Sequence, residues 1–506
     1  MIARGDWLVG VDIGAGSLKT MAVRRDGRVG GSASVDIATH TPRAGWSEQH
    51  PKDWWDALCA TVPRALSEAG IGADAVAAIA FSAGAHTPVL EDASGNVLRP
   101  AILWSDQRSA DEARELESDH GDEILALGCN RAVPTWTQPQ LLWLARHEPD
   151  VLARTRRLYV AKDWLRSRLT GTWETDHTEA VGTLLCDGRR ARWSERLCAM
   201  IGFDPSRLPP IVRPSSVVGE VTRTAASATG FAAGTPVVCG SSDTSVEVYG
   251  AGAIAPGEAA VKLATAATVS IVGREPRVHR SVINYPFAVP GLWYTIGATN
   301  SCASAHRWLR DRFFMASGGD GAEAFAEMDR LASTVPAGAG GLLFHPYLNG
   351  ERTPHWDPLL RADFVGMTFR HERGHFVRAL YEGIAYSLRD VLEALRGQGL
   401  DAGKARIIGG GARSATWRQI VCDVLGIAIE MPRVTDASFG AALIAGVGIG
   451  MHASEVDAAR ASVEIVARHE PDASLRPRYE AMYGIYRDSA AATAGISHRL
   501  AAIDRS

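Results

Sequence analysis

The chain lacks most of the devices that announce a function by themselves. Its 506 residues contain no GxxxxGKS or GxxxxGKT phosphate loop, so a bound nucleotide would need a different cradle for its phosphates. A prevailing charge is also missing. Lys and Arg number 53 against 57 Asp and Glu, a formal net charge of −4, which leaves no global basic field for nucleic acid or an anionic membrane. Neither is expected as a partner. The longest apolar stretch, Ala441 to Met451, is broken by glycine and falls far short of the ~20 residues that span a bilayer. The first residues, Met1 to Asp6, hold no long apolar core before their first charges, unlike a secretory signal. Seven cysteines are scattered, odd in number and without a CxxC pair, which argues against a disulfide framework or a zinc site. A reducing cytoplasm is the expected compartment. No period of 20–50 residues recurs, so a solenoid is excluded.

What is present is the composition of a soluble globular protein, 46% hydrophobic and 22% charged. At ~150 residues per domain the length suits three domains or two large ones. Glycine is the excess, 51 residues or about a tenth of the chain, so much of it should serve the backbone. The apolar run Trp7 to Val11 reads as a buried strand that stops at Asp12, with a glycine turn at Gly14-Ala15-Gly16 and a returning strand over Thr20 to Val23. That is strand–turn–strand, whereas a dinucleotide fold needs its glycine turn to open a helix. Helical spacing covers Pro51–Gly70, Ala303–Phe314, Gly374–Arg396, Ala415–Leu425 and Ser474–Ile503. Buried strands are expected at Val76–Phe81, at Thr235–Gly240 leading to Asp243, and at Arg406–Ile408 leading to Gly409-Gly410-Gly411. Thr170 to Val221 is turn-rich and reads as a peripheral insertion, and Gly250-Ala251-Gly252 to Pro256-Gly257 reads as a hinge.

Three segments can carry chemistry. In Asp12 to Lys19, glycines permit backbone approach to phosphate oxygens, Ser17 adds a hydroxyl and Lys19 a positive charge. Asp12 at a strand end suits Mg²⁺ held through water. A plain hairpin with a glycine turn accounts for the same residues. Gly409 to Ser414 lies between a strand and a helix, as a ligand-approaching turn or an ordinary connection would. Asp243 ends a buried strand beside Ser241 and Ser242, where a carboxylate has room to take a proton from a substrate hydroxyl; a helix-capping Asp would look the same. The loops Gly45–Pro51, Trp104–Arg108 and Tyr347–Pro358 are dense in tryptophan and charge, as polyol sites often are, and as buried tryptophans with salt bridges also are.

In order along the chain these segments resemble the FGGY carbohydrate kinases, and within them the xylulokinases. The matching pieces are Asp12-Ile13-Gly14 with Lys19, Gly45 to Gln49, Trp104 with Asp106 and Arg108, and Lys162-Asp163 with Leu169-Thr170-Gly171. Then come Asp243, Gly350-Glu351-Arg352-Thr353-Pro354 with Asp357, Glu382-Gly383, Gly409 to Ala412, and Gly440-Ala441-Ala442. The likeness runs from about residue 8 to about 450.

The resemblance implies an α/β protein of two ribonuclease-H-like domains of the actin/hexokinase/Hsp70 type flanking a catalytic cleft. Residues 1–249 would be the sugar-binding domain, with the insertion at about 170–221, and residues 250–506 the nucleotide-binding domain. The reaction implied is ATP-dependent phosphorylation of a terminal hydroxyl of a small sugar, D-xylulose to D-xylulose 5-phosphate foremost. Asp243 would be the general base. The sugar would meet Ala85, His86, Trp104, Asp106, Asp243 and Thr244. ATP would meet Asp12, Gly14, Ser17, Lys19, Thr265, Gly410, Gly411, Ala412 and Ser414, with Mg²⁺ held by Asp12 and Asp243 through water. A homodimer is a family-level expectation.

Four departures bear on the substrate. Gly84-Ala85-His86-Thr87 stands where xylulokinases have Gln-Met-His-Gly, and Asp243-Thr244 where they have Asp-Asn. Ala264-Thr265-Ala266 replaces Gly-Thr-Ser, and Ala15 replaces a threonine. Another pentulose, a sugar alcohol or a sugar acid is the alternative substrate. A non-catalytic sugar or nucleotide sensor is the alternative of another class.

Overall fold

Strand β1 (Trp7–Ile13) sets the architecture of the first part of the chain. It pairs antiparallel with β2 (Ser17–Arg24) and parallel with β4 (Val76–Ala83), while β3 (Val29–Asp36) extends the sheet beyond β2. Beyond β4 lie β6 (Pro236–Ser242) and then β5 (Val217–Glu220), giving the order β5-β6-β4-β1-β2-β3. The computed structural model describes residues 5–314 and 321–503. Met1 to Arg4, part of the segment read as unlike a secretory signal, lie outside them.

Both faces of β1 are covered, which is why its sequence is apolar rather than alternating. Val9, Val11 and Ile13 point to one face and join Trp54, Leu58 and Val62 of the helix Pro51–Glu68 in one buried cluster. Leu8, Gly10 and Asp12 point to the other, because successive strand side chains alternate. There the helix Ala437–Gly448 lies against the strand. A Cβ on Gly10 would sit 1.7 Å from the Ser438 carbonyl oxygen, and one on Gly440 would sit 1.9 Å from that of Val246. Only glycine permits that approach.

Contacts divide the chain into two units, and the division is not a single cut. The first unit gathers the chain up to Ile254 with Arg274–Tyr294 and Val434–Val463. The second takes Ala255–Gly273, Thr295–Arg433 and the chain from Glu464 onward. The second unit repeats the local topology of the first. Strand β7 (Glu258–Leu263) pairs antiparallel with β8 (Ala267–Gly273) and parallel with β9 (Lys404–Ile408), followed by β10 (Ala428–Pro432) and β11 (Ile465–His469). Its core helix is Arg373–Gly397, with Ala415–Leu425 and Arg476–Ile503. No helix among the described residues is long and apolar enough to cross a membrane.

One sequence expectation is corrected and two are sharpened. The first strand does not stop at Asp12 but runs through it to Ile13, and Asp12 pairs in register with Lys19. Gly250, the first residue of the stretch read as a hinge, closes the helix Asp243–Gly250, and a Cβ there would lie 2.9 Å from the Gly440 Cα. The stretch Thr170 to Val221 is not simply peripheral, since Thr175, Asp176, Thr178 and Glu179 are buried. Turn-forming residues mark where a chain bends, not whether the bend faces water.

Gly440→Ala should lower the denaturant midpoint, at a cost of roughly 1–3 kcal/mol or more, because the helix must move off the Val246 carbonyl. Chemical denaturation followed by circular dichroism measures this, with Gly495→Ala, where nothing stands within 4 Å, as the control expected to be neutral or stabilising.

Candidate active site

The ends of several first-unit elements bring acidic groups together. Asp12 comes from β1, and its register partner on β4, Ser82, donates a 2.7 Å hydrogen bond to its Oδ1. Lys19, opposite on β2, reaches Asp436 Oδ2 at 2.6 Å. Asp436 in turn caps the helix Ala437–Gly448, accepting from the Ser438 N–H at 3.0 Å. Asp243 is the first residue of the helix that follows β6, and its Oδ1 accepts from the Thr244 N–H at 2.5 Å and from the Thr244 hydroxyl at 3.2 Å.

Asp12 keeps some surface, but the protein around it is dense. Loss of solvation pushes its carboxyl well above the usual range, Asp243, Asp436 and Glu247 push it further, and the Ser82 hydrogen bond opposes them. Among the described residues no three acidic, histidine or cysteine groups form a direct metal cage. The arrangement suits a hydrated dication, whose charge would offset the crowding that Asp12 records.

At the hairpin tip the Gly14 N–H donates to the Ser17 carbonyl at 2.9 Å. The Ala15 carbonyl accepts from Gln49 Nε2 at 2.9 Å and the Thr39 hydroxyl at 2.8 Å. Gly14, Ala15, Gln49, Gly84, Thr87 and Trp104 line a first-unit cavity of about 10 Å³, room for one water. Trp104 is 43% exposed and Ala85, half-buried, adjoins Gly84.

Asp106 and His86 are both buried. Asp106 is fully buried; it accepts from the Ser47 N–H at 2.6 Å and from Arg108 Nε and Nη2 at 2.9 and 2.8 Å. It supports the Trp104 loop from beneath and does not line the cavity. The His86 ring packs on Trp136, with centroids 4.7 Å apart, and burial pushes it down to about 3, so it stays neutral. From there aromatic rings continue through Tyr285 and Tyr294, whose hydroxyl lies 3.5 Å from Ser242 Oγ. Motif reading missed Trp136, Tyr285 and Tyr294, since isolated aromatics carry no spacing signal.

The second unit holds a larger cavity, about 440 Å³. Strand β9 leads into Gly409, whose φ is +88° and where an added Cβ would lie 2.7 Å from the Leu263 carbonyl oxygen. A 3₁₀ turn over Gly410–Arg413 follows, and Ser414 caps the next helix. Gly410, Gly411 and Ser414 line the cavity together with Phe325, Asp329 and Trp417. Asp329 is fixed by the Tyr381 and Ser414 hydroxyls, each at 2.7 Å, and Tyr381 stacks on Trp417 at 4.7 Å. Aromatic walls with a polar rim suit a planar heterocycle. Thr265, at the tip of the β7–β8 hairpin, holds the Ser304 hydroxyl through its carbonyl at 2.7 Å and accepts from Arg307 at 3.3 Å. Ala412 lies under the turn, its carbonyl taken by Arg418 at 2.6 Å. Phe325 and Asp329 were not foreseen, since one helix turn of ordinary composition carries both.

The charge-dense loop after Tyr347 is largely bonded to its surroundings. Glu351 accepts from the N–H groups of Asn300 at 2.7 Å and Arg352 at 2.8 Å, and from the Ser387 hydroxyl at 3.1 Å. Burial pushes its carboxyl up to about 7.

With this geometry in view, family comparison is direct. The model of the FGGY family of carbohydrate kinases matches residues 7–250 with its N-terminal domain and residues 259–449 with its C-terminal domain. The xylulose kinase of Bacillus subtilis strain 168 is 31% identical over 485 residues, covering 95% of this chain and 96% of that one. The gluconokinase of the same organism is 26% identical, covering 95% and 94%. The crystal structure of xylulose kinase from Rhodospirillum rubrum is 30% identical, with a TM-score of 0.88 over 97% of this chain and 100% of that one. The chain belongs to the FGGY family of carbohydrate kinases. It is a sugar kinase of two FGGY domains in the actin/hexokinase-like fold.

The Glu351 carboxyl titrates at its ordinary 4.5 in the unfolded chain and at about 7 in the folded one. The folded state holds the proton more tightly. The stability this confers is full below about 4.5 and is lost as pH rises to about 7, a change of roughly 3 kcal/mol. Glu351→Gln should abolish that slope. In urea titrations the variant and wild type should lie close near pH 5, with the variant the more stable at pH 8.

Proposed function

We propose that this FGGY sugar kinase transfers the γ-phosphoryl group of ATP to a terminal hydroxyl of a small sugar, D-xylulose foremost, to give D-xylulose 5-phosphate. The observation that carries the reading is Asp243, a carboxylate at a strand-to-helix junction, electrostatically coupled to Asp12 and with its Oδ1 held by Thr244. Such a group takes the proton from a sugar hydroxyl as that oxygen attacks phosphorus. The proton passes to the Asp243 carboxylate while the new O–P bond forms and the bond to the leaving ADP oxygen breaks.

Asp12 and Asp243 would hold Mg²⁺ through water, and the ion when bound supplies charge neutralisation for the transferring group. Lys19 balances Asp436 at the same centre. Residues 1–249 would supply the sugar side. ATP would lie on the second unit, its base against Phe325 and Trp417 and its chain beside Gly410, Gly411 and Thr265. The relatives named xylulose kinase favour D-xylulose. A second reading, another pentulose, a sugar alcohol or a sugar acid, is favoured by the small Ala85 beside the cavity and by Thr244, and a relative is named gluconokinase. A cytoplasmic homodimer completes the reading.

Asp243→Asn should lower kcat by roughly 10²–10⁴ while keeping the sugar-induced thermal shift. Coupled ADP release and differential scanning fluorimetry measure the two, and a variant no slower than wild type would remove Asp243 from its role. Ala85→Met should raise the preference for D-xylulose over polyols and sugar acids in the same assay. An unchanged ranking would show that volume at that position does not set the substrate.

A further inference from the structure

The proposed chemistry leaves unused a group of charges sealed in the first unit. Lys162 is fully buried, with Nζ 2.6 Å from Asp163 Oδ1, 2.9 Å from Asp176 Oδ2 and 3.5 Å from the Cys239 carbonyl. Arg166, also buried, faces Asp163 at 3.6 Å and Glu174 at 3.1 Å. Burying charges is costly, and a pair of this kind is a poor source of stability compared with apolar side chains of the same volume. Its value lies in what it fixes.

Two arms leave the cluster. The first runs to Asp243. Asp176 Oδ1 accepts from the Ser241 hydroxyl at 2.9 Å, two residues before Asp243. Strand β6 needs the hold, because its register with β4 shifts between Val238 and Ser241. Gly240 there has φ +77°, with the Phe81 carbonyl 1.8 Å from where a Cβ would be. A bulge of this kind re-aims a strand end, and the Cys239 and Ser241 contacts pin it on both sides of Gly240.

The second arm runs to the loop at Gly84–Thr87. Asp176 also caps the helix His177–Gly182, accepting from the Thr178 N–H at 2.9 Å. That helix carries Glu179, whose Oε2 accepts from the His86 N–H at 2.8 Å. His86 holds a φ of +51°, which a non-glycine residue keeps only when its surroundings insist. Its carbonyl takes the Thr137 hydroxyl at 2.7 Å. Burial and the neighbouring Asp176 and Asp163 hold the Glu179 carboxyl well above the ordinary range, against the pull of Lys162, so an amide is its close isostere.

We infer that the buried Lys162–Asp176 pair is a positioning centre for catalysis, tying the Asp243 strand end through Ser241 and the sugar-side loop through Glu179 to a single anchor. The inference rests on the reading of Asp243 as general base. It assigns Lys162, Asp176, Ser241 and Glu179 as positioning residues that touch neither substrate.

The two arms predict different kinetic defects. Ser241→Ala removes one hydroxyl and leaves Asp176 its other partners; kcat should fall roughly 10- to 100-fold with the sugar KM unchanged, as for a misplaced base. Glu179→Ala frees the His86 N–H; the sugar KM should rise about tenfold, the equivalent of one lost hydrogen bond, with kcat and the ATP KM held. Glu179→Gln should restore the wild-type KM. Hydrogen–deuterium exchange, which needs no turnover, should quicken around Gly240–Thr244 in the first variant and around Gly84–Thr87 in the second. Lys162→Met should quicken both segments, and if it fails to fold the two arm variants decide.

Both arm variants altering the same constant, or folded variants with wild-type kinetics and exchange, would overturn the inference. Wild-type enzyme without sugar-stimulated ADP release would instead overturn the kinase reading. Segment-selective exchange would then uphold the two tethers, and its absence would dismiss them.

Discussion

Like charge crowded at the end of β1 is the constraint around which the first unit is organised. Asp12 sits among Asp243, Asp436 and Glu247 in a dense part of the protein, and its raised proton affinity records the cost. Such crowding persists only where other groups offset it. Ser82 donates to Asp12, Lys19 neutralises Asp436, and the first-turn N–H groups of Thr244 and Ser438 donate to Asp243 and Asp436. A site built this way is poised for a ligand with positive charge and discourages a second anion that arrives without one.

Close packing makes the crowding possible. Gly10, Gly250 and Gly440 let the helix Ala437–Gly448 lie almost on the backbone of β1 and of the helix Asp243–Gly250. With side chains at those points the helix that Asp436 caps would have to move away. The glycine excess of the composition thus divides between turns, such as Gly409, and contacts of this kind, where the missing Cβ matters more than the free φ.

Much of the fold was legible because its elements are local. Apolar runs ending at Asp12 and Asp243, and helical spacing at Pro51–Gly70 and Gly374–Arg396, reappear within a residue or two of the observed bounds. The site was legible only in pieces. Asp12 and Lys19 face each other in register, and Gly410, Gly411 and Ser414 share a cavity, because each set lies on one short segment. Asp436 was invisible as a partner of Lys19, since no pattern links positions 417 residues apart. Asp106 and His86 were named by family likeness, and a motif carries no statement about depth: one carboxylate is consumed by Arg108, and one ring faces Trp136.

The helix Ala437–Gly448 has a bearing on how the protein comes into being. It packs on β1, yet its cap Asp436 follows Lys19 of the neighbouring β2 by 417 residues. At roughly 5–20 residues per second the ribosome needs about 20–80 seconds to pass from Lys19 to Asp436. Throughout that time the Gly10 face of the sheet has no native cover, and Lys19 lacks its Asp436 partner. A chain interrupted before Asp436 therefore cannot assemble this centre.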